Sequence, residues 1–146
     1  MLAICKNKME KKIKRRSDCP VSFALDIFGD KWSLLIIRDL MFKNKKTYGE
    51  FLQSEEKIAT NILADRLSKL ECADLIKCAV DQEKKSKFNY ELTEKGIDIV
   101  PVLLEIVLWS ATHDKYTAAP KEFVDRVKYD KEDFIKEIVK QLKSKL

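Results

Sequence analysis

Residues 58–76 place the tightest constraint on the fold, because Leu63, Leu67 and Leu70 recur at helical spacing and require one short helix with a buried stripe. Thr60 stands where an N-cap belongs. From that start, Thr60, Asn61, Asp65, Arg66 and Lys69 fall on or beside the outward side, a row of donors and acceptors suited to a nucleic-acid groove. An ordinary amphipathic surface helix carries the same pattern. The stretch alone therefore leaves its role open, and its neighbours must decide.

With 146 residues the chain can bury roughly 70% of its unfolded surface, so one core suffices without a metal or disulfide staple. An apolar content of 45% with only 3 Gly and 3 Pro predicts a helix-rich globular protein. No apolar run approaches membrane-spanning length and the first residues lack a signal-peptide core, so no membrane partner and a cytoplasmic location are expected. The net charge of +5 suits an anionic partner. Cys5, Cys19, Cys72 and Cys78 form no CxxC pair, and His113 is the single histidine, which argues against a metal site and against Ser-His or Cys-His catalysis. No Walker or dinucleotide-binding glycine pattern occurs, so neither a cofactor nor an enzymatic activity is expected.

Residues 1–18 form a basic N-terminal arm containing Lys14, Arg15 and Arg16, either solvated or touching phosphate. Cys19 and Pro20 then start a helix carrying Val21, Phe23, Ala24, Ile27 and Phe28, with Cys19 at the N-cap. Gly29 and Asp30 end it and cap a second helix, whose Leu34, Leu35, Ile36, Ile37, Leu40 and Met41 mark the centre of the core. Thr47 and Glu50 spell a capping box for a short third helix, so residues 58–76 supply the second member of a helix-turn-helix pair. Leu75 to Val80 and Phe88, Tyr90 and Leu92 predict a hairpin with a basic tip at Lys84, Lys85 and Lys87. Thr93 caps a following helix in which Ile97, Val100, Leu103, Leu104, Val107 and Leu108 exceed what a small domain can bury, predicting a partner subunit. His113 ends that helix. Beyond Pro120, Asp130 caps a last amphipathic helix with Phe134, Ile135, Ile138, Val139 and Leu142, packed on the body or free for interaction.

These pieces form a winged helix-turn-helix layout, mainly α with a small β-hairpin wing. The residues go further. Cys19-Pro-Val-Ser-Phe-Ala-Leu-Asp-Ile-Phe-Gly-Asp-Lys-Trp32, Tyr48-Gly-Glu-Phe51, Tyr90-Glu-Leu-Thr-Glu-Lys-Gly96 and Pro101-Val-Leu103 together resemble the HxlR-type transcriptional regulators. The resemblance spans residues 19–113, leaving the arm 1–18 and a C-terminal extension 114–146 outside it. It implies a homodimer on double-stranded DNA, joined through the helix from Pro101 and the neighbouring N-terminal helix, with recognition helices about 34 Å apart. It also implies that Ala59, Thr60, Asn61, Ile62, Asp65, Arg66 and Lys69 meet bases or phosphates, with Lys84, Lys85 and Lys87 on the wing. Arg66 on a guanine would contribute about 1–3 kcal/mol of discrimination.

Some members of that family sense oxidants or electrophiles through the cysteine that Cys19 matches. An N-cap thiol faces the positive end of its helix, and basic neighbours favour the thiolate. Packing as a small apolar residue is the alternative role. The chain also departs from the pattern: Asp74 replaces a glycine that closes the recognition helix, and the wing lacks the usual prolines. A winged-helix protein-interaction module is the competing function, distinguished by the charge of the surface around Arg66 and the wing. Operator sequence and inducer, whether small molecule or oxidant, are not legible.

Overall fold

The computed structural model describes residues 14–146, whose elements run α1 (Pro20–Phe28), α2 (Ser33–Phe42), α3 (Tyr48–Leu52), α4 (Thr60–Cys72), β1 (Ile76–Val80), β2 (Phe88–Leu92), α5 (Glu94–Ile97), α6 (Val100–His113), α7 (Lys121–Tyr129) and α8 (Lys131–Lys143). Most of the basic arm lies outside the described residues. Two compact units divide between Gly96 and Ile97.

In the first unit, Cys19 is the N-cap of α1 and Pro20 opens it, where a missing N–H costs nothing. None of the residues of α1 is fully buried. The core instead centres on α2, where Ile36, Ile37, Leu40 and Met41 are buried. Asp30 starts α2 by accepting hydrogen bonds from the Trp32 and Ser33 amides at 2.8 and 2.9 Å and from the Ser33 hydroxyl at 2.5 Å. For α3, the capping box is formed in both directions between Thr47 and Glu50. Those two backbone amides of Lys46 and Thr47 hold the Glu50 carboxyl below its usual range against a small opposing effect of burial.

Leu63, Leu67 and Leu70 are fully buried along α4, as the spacing predicts. Truncating any of them to alanine would cost about 3–5 kcal/mol. The expected cap at Thr60 is corrected: Ala59 occupies the N-cap position, has no side chain to cap with, and Thr60 is already helical. The helix ends in a full Schellman motif, with Asp74 N–H donating to Glu71 at 2.9 Å and Leu75 N–H to Leu70 at 3.0 Å. Asp74 takes the left-handed conformation this requires, at φ 60°.

Strands β1 and β2 pair antiparallel, Ile76 opposite Leu92 and Val80 opposite Phe88. Thr93 joins the hairpin to the helix end, its hydroxyl donating to the Asp74 carbonyl at 2.5 Å and accepting from the Gly96 amide at 3.0 Å. Any Cβ at Gly96 would lie 2.0 Å from the Leu75 carbonyl oxygen, so only glycine fits there.

In the second unit, α6, α7 and α8 pack on one another around Val127, Phe134, Ile138 and Leu142. Phe123 meets Phe134 edge-on at 5.0 Å. The single helix predicted after Thr93 is interrupted at Asp98 and Ile99, just before Pro101, which cannot donate to the preceding turn. A separate α7 also emerges between Pro120 and Asp130. Asp130 sits at the N-cap of α8 without a side-chain cap, because its carboxylate is taken by Arg126 at 2.9 Å. The stretch Glu94–His113 is 20 residues long and apolar enough by composition to cross a bilayer, which corrects the reading that no run approaches that length. Within it, Val100, Leu103 and Leu104 are buried.

Candidate nucleic-acid interface

What positions α4 is a polar brace beneath the turn that precedes it. Asp39, buried on α2, accepts from Arg38 Nη2 at 2.7 Å and from the Ser54 hydroxyl, with Lys45 Nζ 3.4 Å away. Arg38 reaches on to Glu56, forming a bidentate pair at 2.5 and 3.1 Å. That pair holds the Glu56 carboxyl down to about 2, with burial opposing it. A second brace is the Tyr48 hydroxyl, which donates to the Thr60 carbonyl at 2.6 Å and ties α3 to the first turn of α4. Rigid support of this kind is what a surface that reads another molecule requires.

On the outer face of α4, Thr60, Asn61, Asp65 and Lys69 are exposed, with Ala59 at its start and Ile62 half-buried beside them. Lys69 pairs with Asp65 one turn earlier at 3.0 Å. Ser68 and Cys72 continue the stripe and were not singled out from sequence, although their spacing from Asn61 and Asp65 places them on it. Arg66 lies beside the face. Its side chain is only 25% exposed and leans toward Asp30 at 3.5 Å and Asp65 at 3.6 Å, while its Nε is buried with no hydrogen-bond partner. Asp30 is pushed up by burial, yet its bonds to Ser33 and Trp32 and the nearby Arg66 charge together hold it below the usual carboxylate range.

The hairpin tip presents Lys84, Lys85 and Lys87 to solvent. Its turn is closed by Asp81, whose carboxylate accepts from the Glu83 and Lys84 amides at 2.9 and 3.2 Å. Those amide bonds hold the Asp81 carboxyl low. Lys87 also lies near enough to Glu50 for its charge to act there, which links the base of the wing to the start of α3. The charge around α4 and the wing is thus carried by exposed lysines, with Arg66 held back.

Cys19 is exposed and free, as is Cys72. The basic neighbours expected to favour a Cys19 thiolate are largely committed elsewhere: Arg15 pairs with Asp18 at 3.1 Å and Arg16 with Asp26. Among the described residues no group of His, Cys, Asp or Glu has the arrangement to hold a metal.

The family model for HxlR-like helix-turn-helix proteins matches residues 27–117. An HTH-type transcriptional regulator of Synechocystis is 35% identical over 86 residues, 59% of this chain and 63% of that protein's length. The HTH-type transcriptional regulator YdeP of Bacillus subtilis is 35% identical over 107 residues, covering 70% of this chain and 83% of YdeP. The solved structure of the redox regulator HypR in its oxidized form matches with a TM-score of 0.59 at 30% identity, over 66% of this chain and 99% of HypR. Sequence and winged helix-turn-helix fold agree, and the chain belongs to the HxlR-like helix-turn-helix family of transcriptional regulators, not to an enzyme family.

Proposed function

We propose that this protein is a cytoplasmic, homodimeric transcriptional regulator that occupies double-stranded operator DNA, with α4 in the major groove and the wing lysines on phosphates. The observation that carries this reading is the outer face of α4, where Thr60, Asn61, Asp65 and Lys69 stay exposed while the helix is braced from behind by buried leucines. Asn61 suits an adenine edge and Lys69 a phosphate or guanine. Lys84, Lys85 and Lys87 supply sequence-independent attraction.

Dimerisation is supported by apolar surface in each unit taken by itself. On α6, Val102, Ile106 and Trp109 fall on one stripe and are 41, 42 and 67% exposed. On α1, Val21 and Phe23 are exposed. A response to oxidants or electrophiles through Cys19 is supported by its exposure at a helix N-cap and by similarity to HypR, itself a redox regulator. The test is selection of bound fragments from random duplexes, followed by affinity as a function of salt. A shared motif and a slope of about −0.9 per neutralised phosphate are expected. Failure to retain any duplex at low salt would overturn the reading.

A further inference from the structure

A cavity of about 410 Å³ opens in the first unit between α1, the turn after it and α4, a size typical of small-ligand sites. Leu25 and Ile27 supply an apolar wall, and the polar lining includes Asp26, Asp30, Asp65, Arg66 and Lys69. The carboxylates are already engaged: Asp26 with Arg16, Asp30 with the start of α2, and Asp65 with Lys69. Arg66 is not. Its two ion pairs, at 3.5 and 3.6 Å, are longer than the 2.7–2.9 Å typical of charge-assisted hydrogen bonds. Its buried Nε–H has no acceptor at all. A buried donor left open is uncommon in a native protein and marks a place where an acceptor is missing.

We propose that this cavity is an effector site for a small organic anion with an apolar body, whose carboxylate accepts hydrogen bonds from the Arg66 guanidinium while its apolar part rests on Leu25 and Ile27. Rotation of the guanidinium into the cavity gives Nε–H its acceptor and gives up the two long pairs with Asp30 and Asp65. The regulatory consequence rests on the proposed DNA-binding function: an anion that holds and neutralises Arg66 keeps it from turning toward the outer face of α4 to meet DNA. Ligand and operator then compete for one side chain.

Benzoate is the probe, with benzyl alcohol as the control that keeps the ring and lacks the carboxylate. In full-length protein with nitrogen-labelled arginine, benzoate at constant ionic strength is expected to shift the Arg66 Nε–H resonance saturably, with a dissociation constant on the order of 1 mM. Benzyl alcohol should leave it unmoved. Arg66→Lys, which keeps the charge and loses the planar guanidinium fork with its Nε–H, should weaken benzoate uptake at least about tenfold. Leu25→Glu, at an exposed wall position, should abolish uptake by charge repulsion. An unmoved Arg66 resonance, or equal binding of benzoate and benzyl alcohol, would overturn the proposal. Operator affinity measured separately should fall about tenfold at saturating benzoate. Binding of benzoate with operator affinity unchanged would overturn the competition, and loss of all duplex binding without benzoate would overturn the DNA reading while the cavity result stands.

Discussion

The Arg66 guanidinium on α4 leans against the Asp30 carboxylate at 3.5 Å, so it is held beside the exposed outer face of the helix. Asp30 also closes the start of α2, and the two duties separate in Asp30→Asn. The amide oxygen still accepts from the Trp32 and Ser33 amides, because asparagine caps about as well as aspartate. The attraction for Arg66 is lost. Operator affinity should rise up to about tenfold, equivalent to about 1.4 kcal/mol, read by fluorescence anisotropy at fixed salt. Unchanged or weaker binding with an intact thermal melt would show that Asp30 does not restrain Arg66.

The two halves of the candidate interface should respond to mutation in different ways. Asn61→Ala on α4 removes a side chain proposed to read base edges, and should relax preference at one operator position by about 1–3 kcal/mol. Lys85→Ala on the wing tip should weaken all sequences alike and reduce the salt slope by about 0.9. Fragment selection with each variant separates the outcomes. A sequence-independent loss for Asn61→Ala would place that residue on the backbone.

Features whose physics closes within a few residues were legible before the structure. The capping box joins Thr47 to Glu50, the leucine stripe follows from helical period, and the hairpin follows from alternation around a lysine-rich tip. Features that depend on distant partners were not. Nothing near Arg66 in sequence shows that Asp30 will meet it, nor that Asp130 will be taken by Arg126 instead of capping α8. Helix α7 carries helical spacing at Phe123, Val124 and Val127, and is missed when Pro120 is read only as a separator before the last helix. The apolar run of α1 does not tell which of its residues will be covered: Val21, Phe23 and Leu25 are exposed, whereas Ala24, Ile27 and Phe28 are half-buried.

Trp109 tests the proposed subunit contact. It is 67% exposed on α6 in line with Val102 and Ile106, an arrangement in which a tryptophan serves as an interface anchor. Trp109→Ala should raise the dimer dissociation constant about 30-fold or more, the size of a hot-spot loss of about 2 kcal/mol. Sedimentation at several concentrations measures it, and circular dichroism should show unchanged helix content. A dimer of undiminished stability would place the contact elsewhere.

The Arg38–Glu56 pair predicts a specific acid sensitivity. Hydrogen bonds from Arg38 hold Glu56 down from 4.5 to about 2, so its stabilising contribution is fully present above 4.5 and is lost as pH falls through about 2. Because Glu56 is 34% exposed, solvent screening reduces that contribution to about 1 kcal/mol. Glu56→Gln should therefore lower stability by about 1 kcal/mol at neutral pH, and the difference from the parent protein should vanish near the lower value. Urea titrations across that interval measure it. A gap that persists unchanged to the acid end would assign the loss to packing.

Asp74 closes α4 with φ at 60°, a conformation in which its Cβ crowds the following peptide. The Schellman bonds from Asp74 and Leu75 and the Thr93 hydroxyl on the Asp74 carbonyl hold it there, all through the backbone. Glycine would keep each of those bonds and remove the strain, at the cost of greater freedom in the unfolded chain. The strain is the larger of the two at about 1–2 kcal/mol, so Asp74→Gly should stabilise the protein by about 0.5–1 kcal/mol. Operator affinity should stay unchanged, since the substitution lies beyond the last turn of α4. Alanine there should give no such gain, because its Cβ meets the same crowding. Equal stability of the glycine and alanine variants in denaturant titrations would show that backbone strain at this turn is not what limits the helix end.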